Sequence, residues 1–376
     1  MRPVFLLSLI ALGCGQASPP STTAPPAGRL AAGAGHTCVI DAAGVTRCWG
    51  SNVDGQVGDG ADTDALSPRV VAGAADDRAI AAGSYHACAM TADRHASCWG
   101  WNANGQIGND SRQNQRQPFT LDALEDVEAI AAGSYHSCAV VRGGAARCWG
   151  HNDAGQLGDG STIDRAAPVD VFSLPPASAV AASGRHACAL ITDATVQCWG
   201  ENDNGQLGNG GTDPQSFPGP VVGIADAIAV ATGFNHSCAL RGTGAIVCWG
   251  ANGYGQLGDG TTTDRAAPVA VPGIATAVAL AAGYNHTCAA LADGQLLCWG
   301  WNAGGQLGDG TTADRATPVQ VLGLDGVIAV AGGGFHTCAV TAARALRCWG
   351  SNESGQLGDG TNTDHPQPAP VPGIRM

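Results

Sequence analysis

His286-Thr287-Cys288-Ala289-Ala290-Leu291-Ala292-Asp293-Gly294-Gln295-Leu296-Leu297-Cys298-Trp299-Gly300 holds two short apolar runs joined by an Ala-Asp-Gly turn. Runs of this length between Gly, Asn and Asp clusters are strand and turn signals, so 286–291 and 295–300 read as a hairpin turning at 292–294. Cys288 then faces Cys298. In a non-hydrogen-bonded antiparallel pair the Cα atoms stand about 4.5 Å apart, within reach of a disulfide. Such a bridge closes a loop of roughly 11 residues, worth about 3 kcal/mol in the chain-entropy model. The same register sets Ala290 opposite Leu296 and, on the other face, Thr287 opposite Trp299. In other copies the first slot is mostly apolar (Leu190 with Val196, Leu240 with Ile246, Val340 with Leu346), and the partner of each tryptophan is Thr, Ser or Ala. Small partners leave room for an indole to pack against a neighbouring sheet.

The H-x-C and C-W-G elements recur seven times at a spacing of 50 residues. The expected disulfides join Cys38 with Cys48, Cys88 with Cys98, Cys138 with Cys148, Cys188 with Cys198, Cys238 with Cys248, Cys288 with Cys298 and Cys338 with Cys348, which uses 14 of 15 cysteines and leaves Cys14. The rest of each unit, N-x-x-G-Q-L-G-D-G followed by P-V, supplies a Gly-rich turn, an outer strand and the return to an A-x-A-A-G strand. Four short strands per unit make a propeller blade, so the expected fold is an all-β, seven-bladed propeller of four-stranded blades over residues 29–376. The last copy stops at Pro372-Gly373-Ile374 without its own A-V-A-A-G strand, and Arg29-Leu30-Ala31-Ala32-Gly33 supplies one. The N-terminal and C-terminal segments are therefore expected to share one blade, leaving no open edge.

The pattern G-x-x-H-T-C-A-L, then C-W-G-x-N-x-x-G-Q-L-G-D-G, then P-V, resembles the repeat of the regulator of chromosome condensation family over about residues 28–375. The resemblance implies a seven-bladed propeller. Kelch repeats have a similar period but carry a paired glycine that is missing here. Function follows less directly from the resemblance, because the family hosts nucleotide exchange factors, ubiquitin-ligase domains, a plant ultraviolet receptor and a secreted bacterial inhibitor of β-lactamases. Exchange activity is tied in the family to a hairpin wedge inserted in one blade. Every unit here has the same length, so exchange is not expected.

Residues 1–14 have a positive start at Arg2, an apolar run from Val4 to Leu12 and then Leu12-Gly13-Cys14, the form of a bacterial lipoprotein signal with Cys14 as the lipidated residue. The run is half the roughly 20 apolar residues a membrane span needs. Residues 15–28 are rich in Pro, Ser, Thr and Ala, as in a flexible tether. An even set of paired cysteines in an exported chain fits an oxidising compartment. The expected location is the bacterial cell envelope, at the outer membrane or periplasmic face with the lipid as the one membrane contact, with an extracellular location as the alternative. Net charge is −13 and all 18 basic residues are Arg, scattered along the chain, which argues against nucleic acid. The absence of Lys excludes a phosphate-loop lysine, a Schiff base or a Ser-Lys pair.

His36, His86, His136, His186, His236, His286 and His336 each precede a cysteine by two residues, and seven equivalent positions read as structural histidines bonded to nearby backbone rather than as metal sites. The D-G-T-x-x-D loops (Asp259 and Asp264, Asp309 and Asp314, Asp359 and Asp364) offer two carboxylates each, few for calcium and ordinary for a turn. Asn302 and Gln306 are expected to bond the loop backbone, as the family pattern implies. No cofactor or metal is expected.

The informative positions vary while the repeat around them does not. The residue before each histidine faces the residue after each W-G, pairing Gly35 with Ser51, Tyr85 with Trp101, Tyr135 with His151, Arg185 with Glu201, Asn235 with Ala251, Asn285 with Trp301 and Phe335 with Ser351 at one end of the blades. With Phe234, Tyr254 and Tyr284 from adjoining positions, aromatic residues concentrate on one face, as at binding surfaces. The expected function is a monomeric, non-enzymatic module that binds a protein or peptide. A structural or surface-display role without a ligand is the second reading. A hydrolase-type site in the central channel is the third.

Overall fold

The computed structural model describes residues 28–74 and 76–376. Lipidation at Cys14, the signal at 1–14 and the tether, apart from Gly28, lie outside the described residues. The 28 strands form seven four-stranded antiparallel sheets, each from four consecutive strands. The seven-bladed propeller is thus as expected. In blade 6 the strands are Ala277–Ala282 innermost, His286–Leu291, Leu296–Gly300 and Arg315–Gln320 outermost. Cys288 pairs with Cys298, Thr287 with Trp299 and Ala290 with Leu296, the register read from sequence.

All seven expected disulfides form, one clasping the central hairpin of each blade. Cys38 is bridged to Cys48 in blade 1, Cys88 to Cys98 in blade 2, Cys138 to Cys148 in blade 3 and Cys188 to Cys198 in blade 4. Cys238 is bridged to Cys248, Cys288 to Cys298 and Cys338 to Cys348 in blades 5 to 7. The Cα atoms stand 4.0 Å apart in the blade 5 bridge and 4.1 Å apart in the other six. That closeness follows from direct opposition across the hairpin, as in Cys48 opposite Cys38, Cys98 opposite Cys88, Cys148 opposite Cys138 and Cys198 opposite Cys188.

The hairpin ends where it does because Gly300 is left-handed (φ 105°), and a Cβ there would lie 2.8 Å from the His286 Cα. Only glycine allows the chain to turn so close to its own partner strand. The outermost strand carries one proline in blade 6, Pro318. It falls where the register skips from Cys298↔Val319 to Gly300↔Arg315, a bulge that tolerates a residue without N–H. Proline there also blunts the exposed sheet edge.

The core lies between blades. Trp299 is fully buried against the Cys238–Cys248 pair, Leu240, Ile246 and Leu257 of blade 5, and its indole donates to the Gln256 carbonyl at 2.9 Å. An indole buries ~200 Å², on the order of 5 kcal/mol of transfer free energy. Each blade repeats the contact. The ring closes by the same one, since Trp49 of blade 1 packs with Cys338 and Cys348 of blade 7 and donates to the Gln356 carbonyl at 2.9 Å.

The expected sharing of a blade between the chain ends is not found. Blade 1 is contiguous over 30–70 and blade 7 over 327–370, because Leu30–Ala32 pairs with the hairpin that follows it. The C-terminal segment bonds the hairpin turns of blades 1 and 7 instead. Ala42 N donates to Arg375 O at 2.8 Å and Met376 N to Arg344 O at 3.1 Å.

The histidines also differ from expectation. In five blades His Nε2 bonds a hydroxyl on the next blade rather than backbone, as in His286–Thr337 at 2.9 Å and His86–Ser137 at 2.7 Å. That hydroxyl is the small residue facing the tryptophan, and it donates onward to the glutamine carbonyl that also accepts the indole N–H. The histidine face of the hairpin points across the blade junction, so the partner comes from the neighbouring sheet.

Candidate functional site

The turn register brings the variable positions to one rim. Trp101 N donates to Tyr85 O at 2.9 Å, His151 N to Tyr135 O at 2.9 Å, Glu201 N to Arg185 O at 2.9 Å and Trp301 N to Asn285 O at 2.8 Å. From this rim the rings assemble into two arcs. In blades 2 and 3, Tyr85 meets Trp101 at 6.0 Å, Trp101 meets Tyr135 at 5.4 Å, and Tyr135 meets His151 at 6.1 Å between centroids. In blades 5 to 7 the chain runs Phe234–Tyr284 at 4.9 Å, Tyr284–Phe335 at 5.5 Å, Phe335–Trp301 at 5.6 Å and Trp301–Tyr254 at 6.2 Å. Most pairs are edge-to-face, an arrangement worth about 0.5–1.5 kcal/mol beyond burial, which fixes the rings before any ligand arrives.

Blade 4 separates the arcs with charge. Arg185 bonds Glu201 Oε1 at 3.0 Å and Asp153 Oδ1 at 3.1 Å. Burial raises the Glu201 carboxyl, whereas at Asp153 burial is outweighed by Arg185 and the carboxyl stays below its usual value. Tyr284 reaches across the axis to bond Ser84 of blade 2. Burial pushes its hydroxyl up to about 12, so it remains neutral. The axis itself is a cavity of about 90 Å³, walled mainly by Gly and Ala, with Ser84, Ser134, Ser183, Thr232 and Tyr284 as the hydroxyls. Among the described residues, those hydroxyls are the side-chain polar groups of that wall.

Every sequence-derived binding residue joins these arcs or the Arg185 bridge. Asp153, Ser84 and Asp54 were missed. They vary within the N-x-x-G-Q and A-A-G-x turns, and comparing those slots between copies would have found them.

The RCC1-like domain model matches residues 125–376, and models of the regulator of chromosome condensation repeat match 48–90 with 98–140, and 78–106. The chain belongs to the RCC1-like domain family. No curated protein matches it in sequence. Among solved structures, yeast RCC1 (Prp20) bound to Kap60 is 20% identical with a TM-score of 0.78, covering 96% of this chain and 91% of that one. Human WBSCR16 is 22% identical with a TM-score of 0.77, covering 86% and 92%. Prp20p from Saccharomyces cerevisiae, described with its binding to Gsp1p and histones, is 22% identical with a TM-score of 0.76, covering 92% and 86%. At these identities the likeness is one of fold.

Within this RCC1-like propeller the described residues hold four strands per blade and no inserted hairpin. The loop residues that recur from copy to copy are committed to the fold. Asn302 Nδ2 donates to Asp309 Oδ1 at 3.2 Å and Ala313 O at 3.0 Å, its Oδ1 accepts Leu307 N at 2.9 Å, and Gln306 Oε1 accepts Gly304 N at 3.0 Å. Asp309 Oδ2 pairs with Arg315 at 2.7 Å and Asp314 Oδ1 accepts Asn302 N at 2.8 Å. These carboxylates serve as turn caps.

Proposed function

We propose that this RCC1-like chain is an envelope-anchored module that binds a protein or peptide through the aromatic rim, with Cys14 as the lipid attachment. One observation carries the reading: nine ring systems, from Tyr85 to Phe335, are pre-set in two arcs around one mouth of a narrow channel. Tyr85, Tyr254 and Phe335 are 39%, 44% and 37% exposed, although large aromatics are usually covered in a monomer. Rigid amphipathic rings give contact area at small entropic cost. Yeast members of the fold are described with the protein partners Kap60, Gsp1p and histones, which supports protein recognition on this scaffold. The rim does not suit a display role without a ligand, since such a role would be served by a smooth polar face.

Crosslinking on intact cells followed by affinity capture tests the reading. The Tyr85→Ala/Trp101→Ala variant is expected to lose the captured partner by tenfold or more, about 1.4 kcal/mol or greater. Undiminished capture would remove this face from consideration. Cys14→Ser is expected to shift the chain from the membrane to the soluble fraction, and retention at the membrane would refute the anchor.

A further inference from the structure

Tyr85, Trp101, Tyr135 and Asp54 together line one surface cavity of about 210 Å³. Tyr85 and Tyr135 are nearly parallel, 22° apart with centroids at 5.9 Å, while Trp101 stands at 71° to one and 68° to the other. Ring faces carry negative quadrupole charge, so a cup of three rings attracts a cation, and more strongly when a carboxylate sits on its rim.

That carboxylate arises by an inversion within the repeat. In blades 2 and 4 the position of Asp54 is held by asparagine, and its amide donates to an aspartate 60 residues on: Asn104 to Asp164 at 3.2 Å and Asn204 to Asp264 at 3.1 Å. At Asp54 the pair is reversed, and Asn114 donates to Asp54 Oδ1 at 3.1 Å. The hydrogen bond survives, while the negative charge moves from the neighbouring loop to the aromatic cup. Asn114 is the one side-chain donor to Asp54 among the described residues, and no Arg pairs with it, unlike Asp153, Asp159, Asp259 and Asp309. Burial pushes its carboxyl above the usual value, the direction expected of a carboxylate that lacks a countercharge.

We propose that this cup receives an arginine side chain of the partner, its guanidinium stacked among Tyr85, Trp101 and Tyr135 with one N–H donated to the free Asp54 oxygen. The proposal rests on the rim being the binding face. A guanidinium is planar, weakly hydrated and edged with donors, so it satisfies ring faces and carboxylate at once. A lysine ammonium is more strongly hydrated. A quaternary ammonium has no proton to give Asp54.

The test is an NMR titration of the full, oxidised chain with Ac-Gly-Arg-Gly-NH2, following the Trp101 indole N–H, assigned with Trp101→Phe. The arginine peptide is expected to shift this resonance saturably, with the citrulline and lysine analogues about tenfold and severalfold weaker. Asp54→Asn, which keeps an amide for Asn114 and matches Asn104, is expected to weaken binding about tenfold while leaving the Trp301 indole resonance in place. Equal response to arginine and citrulline peptides, unchanged affinity in Asp54→Asn, or tighter binding of tetramethylammonium than of the arginine peptide would each overturn the proposal. Partner capture that falls in Tyr85→Ala/Trp101→Ala but is indifferent to free arginine peptide would overturn the cup and leave the rim reading standing.

Discussion

Ala87 and Ala187 interrupt an otherwise regular exchange of hydrogen bonds between blades. Where a hydroxyl faces the tryptophan, it donates to the glutamine carbonyl and accepts from the preceding blade's histidine. Where alanine stands, His36 Nε2 and His136 Nε2 are buried without a partner. A buried polar atom left unpaired costs roughly 1–3 kcal/mol, and the Thr and Ser copies show that a hydroxyl fits beside the indole. Ala187→Thr is therefore expected to raise stability by about 1 kcal/mol, seen as a higher guanidinium midpoint without reductant, and an unchanged midpoint would show that His136 needs no partner. The sequence revealed the small residue opposite each tryptophan through hairpin register alone. The hydroxyl's role was invisible because it depends on how adjacent sheets stack, and register within one blade does not encode that distance.

Elements were the most legible scale. A disulfide between facing positions, a glycine at the strand end and a proline on the outer strand are all local consequences of a hairpin, and Cys288, Gly300 and Pro318 stand where that logic puts them. The Cys288→Ser/Cys298→Ser variant is expected to lose about 3 kcal/mol, the loop-closure value for roughly 11 residues. Urea titration of the variant beside the parent measures it. A loss below about 1 kcal/mol would mean that the flanking Trp299 and Trp349 contacts already restrain the hairpin. The aromatic rim was legible for the same reason: the residues before each His and after each W-G are fixed to one end of a blade by strand register. Asp54 was not, since its meaning appears only when Asn114 on the next blade is seen to take the complementary place.

At the scale of the whole molecule the seven histidines act together. Burial lowers His36 and His286 to about 4 and the other five to about 3, from an ordinary 6.5. The unfolded chain therefore binds more protons than the fold once pH drops below 6.5. Stability is complete above that value and is lost as pH falls toward 4, by about 1.4 kcal/mol per pH unit for each histidine. Denaturant midpoints at pH 7.5, 6 and 5 should decline steeply, and a flat profile would mean that these histidines take up protons in the fold as readily as in the unfolded chain. Ring closure is the other property of the whole chain, and here sequence reading misplaced the seam. An innermost strand at one end and a blade short of its next one at the other suggested exchange, but each A-x-A-A-G strand belongs to the hairpin after it. What crosses the seam is the segment leading into that strand. Val327 N donates to Gly294 O at 2.9 Å at the junction of blades 6 and 7, and Met376 N makes the corresponding bond to Arg344 O at 3.1 Å beside blade 1. Met376 is 4% exposed and packs in one cluster with Val39 and Ile40. Removing 374–376 is expected to cost about 3 kcal/mol, from one buried Met and two backbone bonds. Hydrogen exchange should then quicken in Leu30–Ala32 and His36–Ile40 while blade 4 keeps its protection. If protection falls evenly around the ring, or nowhere, these three residues do not hold the seam and the Trp49 contact with blade 7 closes the propeller alone.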